Sequence, residues 1–282
     1  MSDVNASNQL MNGGVAVVAG GSSGIGRAVV ECFAENGSVV EFCSVDEKST
    51  LALQRELNER GFEVKGTTLD ASNSSQVKEF IAGVSLRRGR VSALVNTVGI
   101  QRYGTAETTS DDTWNEVLDV NLKSMFLMVK FAVPLIRANG GGTVVNVSSG
   151  QAIASQKNVV AYTASKGAIV AMTRAMAVDY AGENIRVNSV CPGAIDTPML
   201  RASARAINPH DPDSVIAGWG RHHPIGRVGQ AREVANAILF LSCSLSSFVT
   251  GADLRVDGGA MAAQPLEVPN KTSDLVSGRT GK

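Results

Sequence analysis

Short β-branched runs alternate with longer helical patterns from residue 14 to about residue 190, and that order restricts the fold more than any other property of the chain. Valine-rich runs at 15–18, 39–43, 64–69, 93–95, 143–147 and 186–190 have the length and composition of buried strands. Between them, stretches such as 28–35, 49–60, 114–137 and 161–180 carry apolar residues at helical spacing. Strands separated by helices pair in parallel through right-handed crossovers, so one doubly wound α/β sheet with helices on both faces is expected. Ligands of such a sheet bind outside the carboxyl ends of its strands.

Neither an internal repeat nor a low-complexity linker interrupts 13–262, so one domain is expected there. Residues 1–12 and 263–282 have little to bury and are expected to be mobile. Between Ala194 and Arg227 the alternation breaks, in a segment holding Pro198, Pro209, Pro212, Pro224 and all three histidines; an insertion of this length reads as a lid. A net charge of zero with 18% charged residues leaves no electrostatic footprint for nucleic acid. The dense basic stretch Arg87-Arg88-Gly89-Arg90 precedes an apolar run and reads as a solvated turn rather than a phosphate patch. Cys32, Cys43, Cys191 and Cys243 lie far apart without metal-type spacing, which points to reduced, buried thiols. The polar amino terminus and the lack of an uninterrupted apolar run near the ~18 residues of a membrane span lead to the expectation of a soluble, cytoplasmic protein with no membrane partner.

The first strand runs directly into Ala19-Gly20-Gly21-Ser22-Ser23-Gly24-Ile25-Gly26, followed by a helical pattern. Glycines at that junction allow a tight turn and let the backbone approach a pyrophosphate, whose charge the first helical turn then meets with its N–H groups. Further on, Tyr162 and Lys166 stand four residues apart, a spacing that puts both side chains on one helix face. An ammonium beside a phenol favours phenolate, so Lys166 is expected to lower the pKa of Tyr162. Ser149, thirteen residues upstream at the end of the fifth run, can aim a hydroxyl at the phenol.

The loop Gly20-x-x-x-Gly24-x-Gly26 together with Tyr162-x-x-x-Lys166 resembles the short-chain dehydrogenase/reductase family, and the likeness extends over nearly the whole domain. It takes in Asn96-Thr97-Val98-Gly99, Asn121, Ser149, Pro192-Gly193, Thr197 and the closing Val256-Asp257-Gly258-Gly259. The resemblance implies a Rossmann-like NAD(P)-dependent oxidoreductase that interconverts a small-molecule secondary alcohol and a ketone. In it Tyr162 is the general acid-base, Lys166 and Asn121 form a proton relay through a water, and Ser149 binds the reacting oxygen. Cofactor contacts are implied for Gly20, Ser22, Ser23, Gly24, Ile25, Gly26, Ser44, Asp70, Ala71, Asn96, Tyr162, Lys166, Pro192, Gly193, Ile195 and Thr197. Plainer roles stand beside some of these. Ser149 could merely end a strand, with Ser148 as its double; Asn121 could bond backbone, and Thr197 could cap a helix before Pro198.

The chain departs from the family pattern in places. Ala19 and Thr97-Val98 stand where the family has threonine and asparagine-alanine, a loss of polar contacts around the glycine loop. At the second strand's end Ser44 replaces the aspartate of NAD-preferring members, while Val45 and Ser22 lack the basic group of NADP-preferring ones. Ser44 could bond a hydroxyl or a phosphate, Asp46 would repel a 2′-phosphate if it points inward, and the pattern, open to NAD or NADP, leans slightly to NAD. His210, His222 and His223 lack the pattern of a metal site, so no metal is expected, although one or two could face substrate. Sugar-nucleotide epimerases share Tyr-x-x-x-Lys but have a different loop and a larger second domain; a catalytically silent sensor or scaffold of the same fold is the alternative function. The long helical stretches are apolar beyond one face, which implies oligomerisation, and the family resemblance suggests a homotetramer.

Overall fold

Most of the valine-rich runs bury both faces, as parallel strands covered by helices on each side must, while the run at 64–69 does so only in part. The structure, a computed structural model, describes residues 10–263. Its first half comprises β1 (Val15–Ala19), α1 (Gly24–Glu35), β2 (Val39–Ser44), α2 (Glu47–Glu59), β3 (Val64–Thr68), α3 (Ser74–Arg88) and β4 (Ala93–Asn96). The second continues with α4 (Asp111–Leu118), α5 (Ser124–Ala138), β5 (Gly142–Val147), α6 (Val160–Tyr180) and β6 (Ile185–Pro192). Then follow β7 (Ile195–Asp196), α7 (Pro198–Ile207), α8 (Pro212–Arg221), β8 (Gly229–Gln230), α9 (Ala231–Ser242) and β9 (Asp253–Val256).

Seven parallel strands form the main sheet in the order β3-β2-β1-β4-β5-β6-β9, the doubly wound arrangement expected of the alternation. Period two sorts the core: Ala16 and Val18 pack with Val29 and Phe33 of α1 and Ile238 of α9 on one face. Val17 and Leu94 pack with Phe80 of α3, Ile136 of α5 and Met176 of α6 on the other. Each fully buried large side chain contributes about 1.5–3 kcal/mol, so truncation on either face is costly. The order reverses between β1 and β4, where Ala19 is in register with Cys43 on one side and Asn96 on the other. Asn96 pairs in turn with Asn146, and Val147 with Val190, so the carboxyl ends of the central strands finish level and share one crevice.

Several expectations need correction. The helical stretch 114–137 is not one α-helix: a π-helical turn, Asp119–Lys123, separates α4 from α5. Arg87 and Arg88 are not a solvated turn. Both bond the carboxylate of Glu41, which is fully buried in β2, at 2.8 and 2.7 Å, and Arg88 also reaches Glu63. A buried carboxylate requires such partners, so the basic pair anchors α3 to β2. Met11 is buried and its N–H donates to Asn36 O at 3.1 Å, so the expected mobile segment does not extend through residue 12; residues 1–9 and 264–282 lie outside the described residues. The segment 194–227 holds the helices α7 and α8, tied to the domain by the pairing of β7 with β8. All four cysteines are buried free thiols. Among the described residues, no helix is long and apolar enough to cross a membrane.

Candidate active site

The carboxyl ends of β1, β4, β5 and β6 deliver the groups singled out in the sequence to one crevice. Leaving β1, Gly20 adopts a φ of 81°, and a Cβ there would sit 2.8 Å from Thr97 Oγ1. One turn into α1, a Cβ on Gly26 would overlap the Gly20 carbonyl oxygen, so only glycine lets the helix start so close to the strand. Gly24 faces Thr197 across the crevice, 3.4 Å from its methyl as judged at the Cβ position, while Thr197 caps α7 by accepting from Leu200 N. Ser23 occupies the N-cap of α1 without a side-chain cap bond, and Ile25 packs against the core beneath. The polar contact expected to be missing is present: the Thr97 hydroxyl donates to Ala19 O at 2.6 Å, a bond that needs only a β-hydroxyl one residue past β4.

At the end of β2, Ser22 donates to Ser44 at 2.7 Å and accepts from Ser49 at 3.0 Å. Ser49 was not singled out in the sequence; only the fold brings α2 against the glycine loop. The Asp46 carboxylate caps α2 by accepting from Ser49 N, and its interactions with the Ser49 side chain and then its backbone hold it below the usual carboxylate range. Arg27 is occupied by Glu31 and Glu56, at 2.7 and 2.8 Å. Asp70, past β3, turns its carboxylate back onto Ser72, with Ala71 buried beside it. Asn96 is buried, donates to Asn146 Oδ1 at 2.9 Å, and leaves its own Oδ1 without a partner. Glycines that leave the strand end bare of side chains fit the close approach of a dinucleotide's pyrophosphate, and the unpaired oxygen buried beside them is an acceptor of the kind that ribose hydroxyls need.

Tyr162 and Lys166 lie on the buried face of α6. Lys166 Nζ donates to Val147 O at 3.0 Å, and Ser148 Oγ donates to Lys166 O at 2.8 Å, which fastens the helix to the end of β5. Ser148 is thereby committed to structure, while the Ser149 hydroxyl accepts from Gln151 N at 3.1 Å and lies close enough to the Tyr162 phenol to favour its ionised form. Asn121 projects from the π-helical turn: its Oδ1 accepts from Ile100 N at 2.7 Å, and its Nδ2 donates to Ile100 O and to Ser165 Oγ. It therefore bonds backbone as the plainer reading held. It also approaches Lys166, since a Cβ on Gly99 would lie 3.4 Å from Nζ and 3.6 Å from Asn121 Oδ1.

The electrostatics depart from expectation. Burial pushes the Tyr162 phenol up, with Ser149 partly offsetting it, and burial pushes Lys166 down to about 8. The ammonium sits 5.5 Å from the phenol ring centroid and bonds Val147 O instead of the phenol oxygen, so it does not lower the tyrosine's pKa as the spacing suggested.

Past β6, Gly193 N donates to Val256 O at 3.0 Å, and Ala194 N donates to His223 Nε2 at 3.1 Å. These bonds carry Pro192, Gly193 and Ile195 along the crevice wall. The turn after β9 closes beneath: Asp257 accepts from Met261 N, and a Cβ on Gly150 would lie 3.6 Å from the Met261 side chain.

A sequence model of the family described as enoyl-(acyl carrier protein) reductase matches residues 19–261. The chain belongs to the short-chain dehydrogenase/reductase family. Members are oxidoreductases that use NAD or NADP. This one is 34% identical to a 3-oxoacyl-[acyl-carrier-protein] reductase of Thermotoga maritima, over 88% of this chain and 98% of that protein. It superposes on the aldohexose dehydrogenase of Thermoplasma acidophilum with a TM-score of 0.84 at 36% identity, covering 92% and 98% of the two chains. The L-sorbose reductase of Gluconobacter frateurii, solved with NADPH and L-sorbose, gives a TM-score of 0.87 at 27% identity, covering 91% and 100%.

Proposed function

We propose that this short-chain dehydrogenase/reductase interconverts a secondary alcohol and a ketone, with Tyr162 as general acid-base. The observation that carries the reading is the convergence of Tyr162, Ser149, Lys166 and Asn121 at the carboxyl edge of the sheet, beside the glycine loop. When bound, a nicotinamide dinucleotide supplies the acceptor or donor of hydride; the rest falls to the chain. In oxidation the Tyr162 oxygen takes the hydroxyl proton as hydride leaves the carbinol carbon, and in reduction it gives that proton back to the carbonyl oxygen. Ser149 holds the reacting oxygen at the phenol and stabilises the charge that develops on it. Lys166, held near a pKa of about 8, exchanges protons readily around neutral pH, and Asn121 positions the water that links it to solvent.

Gly20, Ser22, Ser23, Gly24, Ile25 and Gly26 would hold the pyrophosphate, Ser44 and Asn96 the adenosine ribose, and Asp70 and Ala71 the adenine. Pro192, Gly193, Ile195 and Thr197 would hold the nicotinamide ring, and Tyr162 and Lys166 its ribose. An ionised Asp46 and an Arg27 already paired with Glu31 and Glu56 favour NAD over NADP. A cytoplasmic homotetramer is part of the same reading, since apolar Trp114 and Phe126 remain partly exposed on α4 and α5.

The test is Tyr162→Phe. Turnover across a panel of secondary alcohols and ketones is expected to fall by about 10²–10⁴-fold, with NADH affinity nearly intact by nicotinamide fluorescence. Full activity in the variant overturns the mechanism. Tight cofactor binding without turnover of any compound by the wild type would favour a silent sensor.

A further inference from the structure

Of the three histidines in 194–227, the structure buries His223 and exposes His210 and His222. His223 follows α8, and main chain engages both of its ring nitrogens. Nδ1 lies 2.9 Å from Trp219 O and Nε2 lies 3.1 Å from Ala194 N. A carbonyl only accepts and an amide only donates, so the two partners together admit a single form: a neutral ring with its proton on Nδ1 and a lone pair on Nε2. The amide held in this way belongs to the loop Pro192–Thr197. The ring lies tight against that loop, since a Cβ on Gly193 would be 2.8 Å from Nε2. The residues after it are joined to the closing turn, where Ile225 N donates to Gly258 O at 3.2 Å.

We propose that His223 is a positioning residue for this loop: the Nε2 lone pair of its neutral imidazole fixes the Ala194 amide, so loss of that acceptor frees the loop and weakens cofactor binding. The proposal rests on the reading that the loop faces the nicotinamide. Without that lone pair the Ala194 N–H is left with no acceptor. The charged groups around the ring are few. Asp257 packs on Gly193 from the closing turn, with its carboxylate accepting from Gly259 N and Met261 N at 3.0 and 2.9 Å. Arg227 and Glu233 line the same small cavity as His223 and pair with each other at 2.7 Å, and Arg221 is exposed at the end of α8.

The test compares wild type, His223→Gln and His223→Leu by NADH and NADPH titration, with hydrogen exchange of the peptide covering 192–197 read in parallel. Glutamine carries an acceptor oxygen at the reach of Nε2, and leucine fills the space without one. His223→Leu is expected to bind about tenfold more weakly than wild type and its loop amides to exchange faster, while His223→Gln recovers most of both. Wild-type binding and exchange in His223→Leu overturn the proposal. A loss of about tenfold in His223→Gln overturns it too, and that comparison stands even if His223→Leu fails to fold. If no form binds either dinucleotide, the oxidoreductase reading fails, while exchange of the loop still decides the role of His223.

Discussion

Lys166 carries a positive charge into a place almost without water, 4% exposed. Its pKa falls to about 8 there, against 10.5 in the unfolded chain. Between those values the unfolded chain binds more protons than the folded one, so stability rises with pH across that window, and below it the whole penalty stands. Replacing the charge is therefore expected to stabilise the protein: Lys166→Met should gain on the order of 2 kcal/mol at pH 7, less what the lost bond to Val147 O returns, and be inactive. Thermal unfolding at pH 7 and at pH 10 checks this. A gain that shrinks toward pH 10 fits a buried ammonium, whereas a loss at pH 7 would mean that the hydrogen bond outweighs the burial.

At the scale of single elements, the junction of β1 and α1 is the least tolerant. Gly26→Ala puts a methyl into the Gly20 carbonyl and 2.6 Å from Thr97 Oγ1, so the start of the helix must move. The expected cost is about 1–3 kcal/mol in stability together with more than about tenfold in NADH affinity. Gly167→Ala in α6 is the control, for a Cβ there meets nothing within 4 Å, and it should stabilise by about 0.5–1 kcal/mol. Equal behaviour of the two variants in melting and titration would sink the packing argument. The same elements show what a sequence discloses. Valine runs and the four-residue step from Tyr162 to Lys166 are local patterns, so the sheet and the site's main helix were legible. The π-helical turn that aims Asn121, the pairing of Glu41 with Arg87 and Arg88, the Ser49 hydroxyl at Ser22 and the grip of His223 on Ala194 each join segments distant in sequence or depart from a regular period. Lys166 illustrates the limit from the other side: its spacing showed that it shares a face with Tyr162, but not that its Nζ would turn to Val147 O.

The whole molecule leaves large apolar side chains in water. Phe126 on α5 is 46% exposed, Val178 on α6 is 81% exposed and Phe248 is fully exposed. Exposed apolar surface on helices that already bury one face is what further copies of the chain would cover in the proposed tetramer, and sedimentation velocity is expected to show a four-chain species at micromolar concentration. A monomer would refute it. A different consequence follows from the way the crevice is closed. Its loop begins at Gly20, while the turn that seals it from below ends at Met261 against Gly150. A ribosome delivers the first of these groups long before the last. The sheet can begin to assemble while the chain is still being made, but the crevice cannot take its final shape until Met261 has left the exit tunnel. Nascent chains stalled short of that residue should hold most of the fold and little of the affinity.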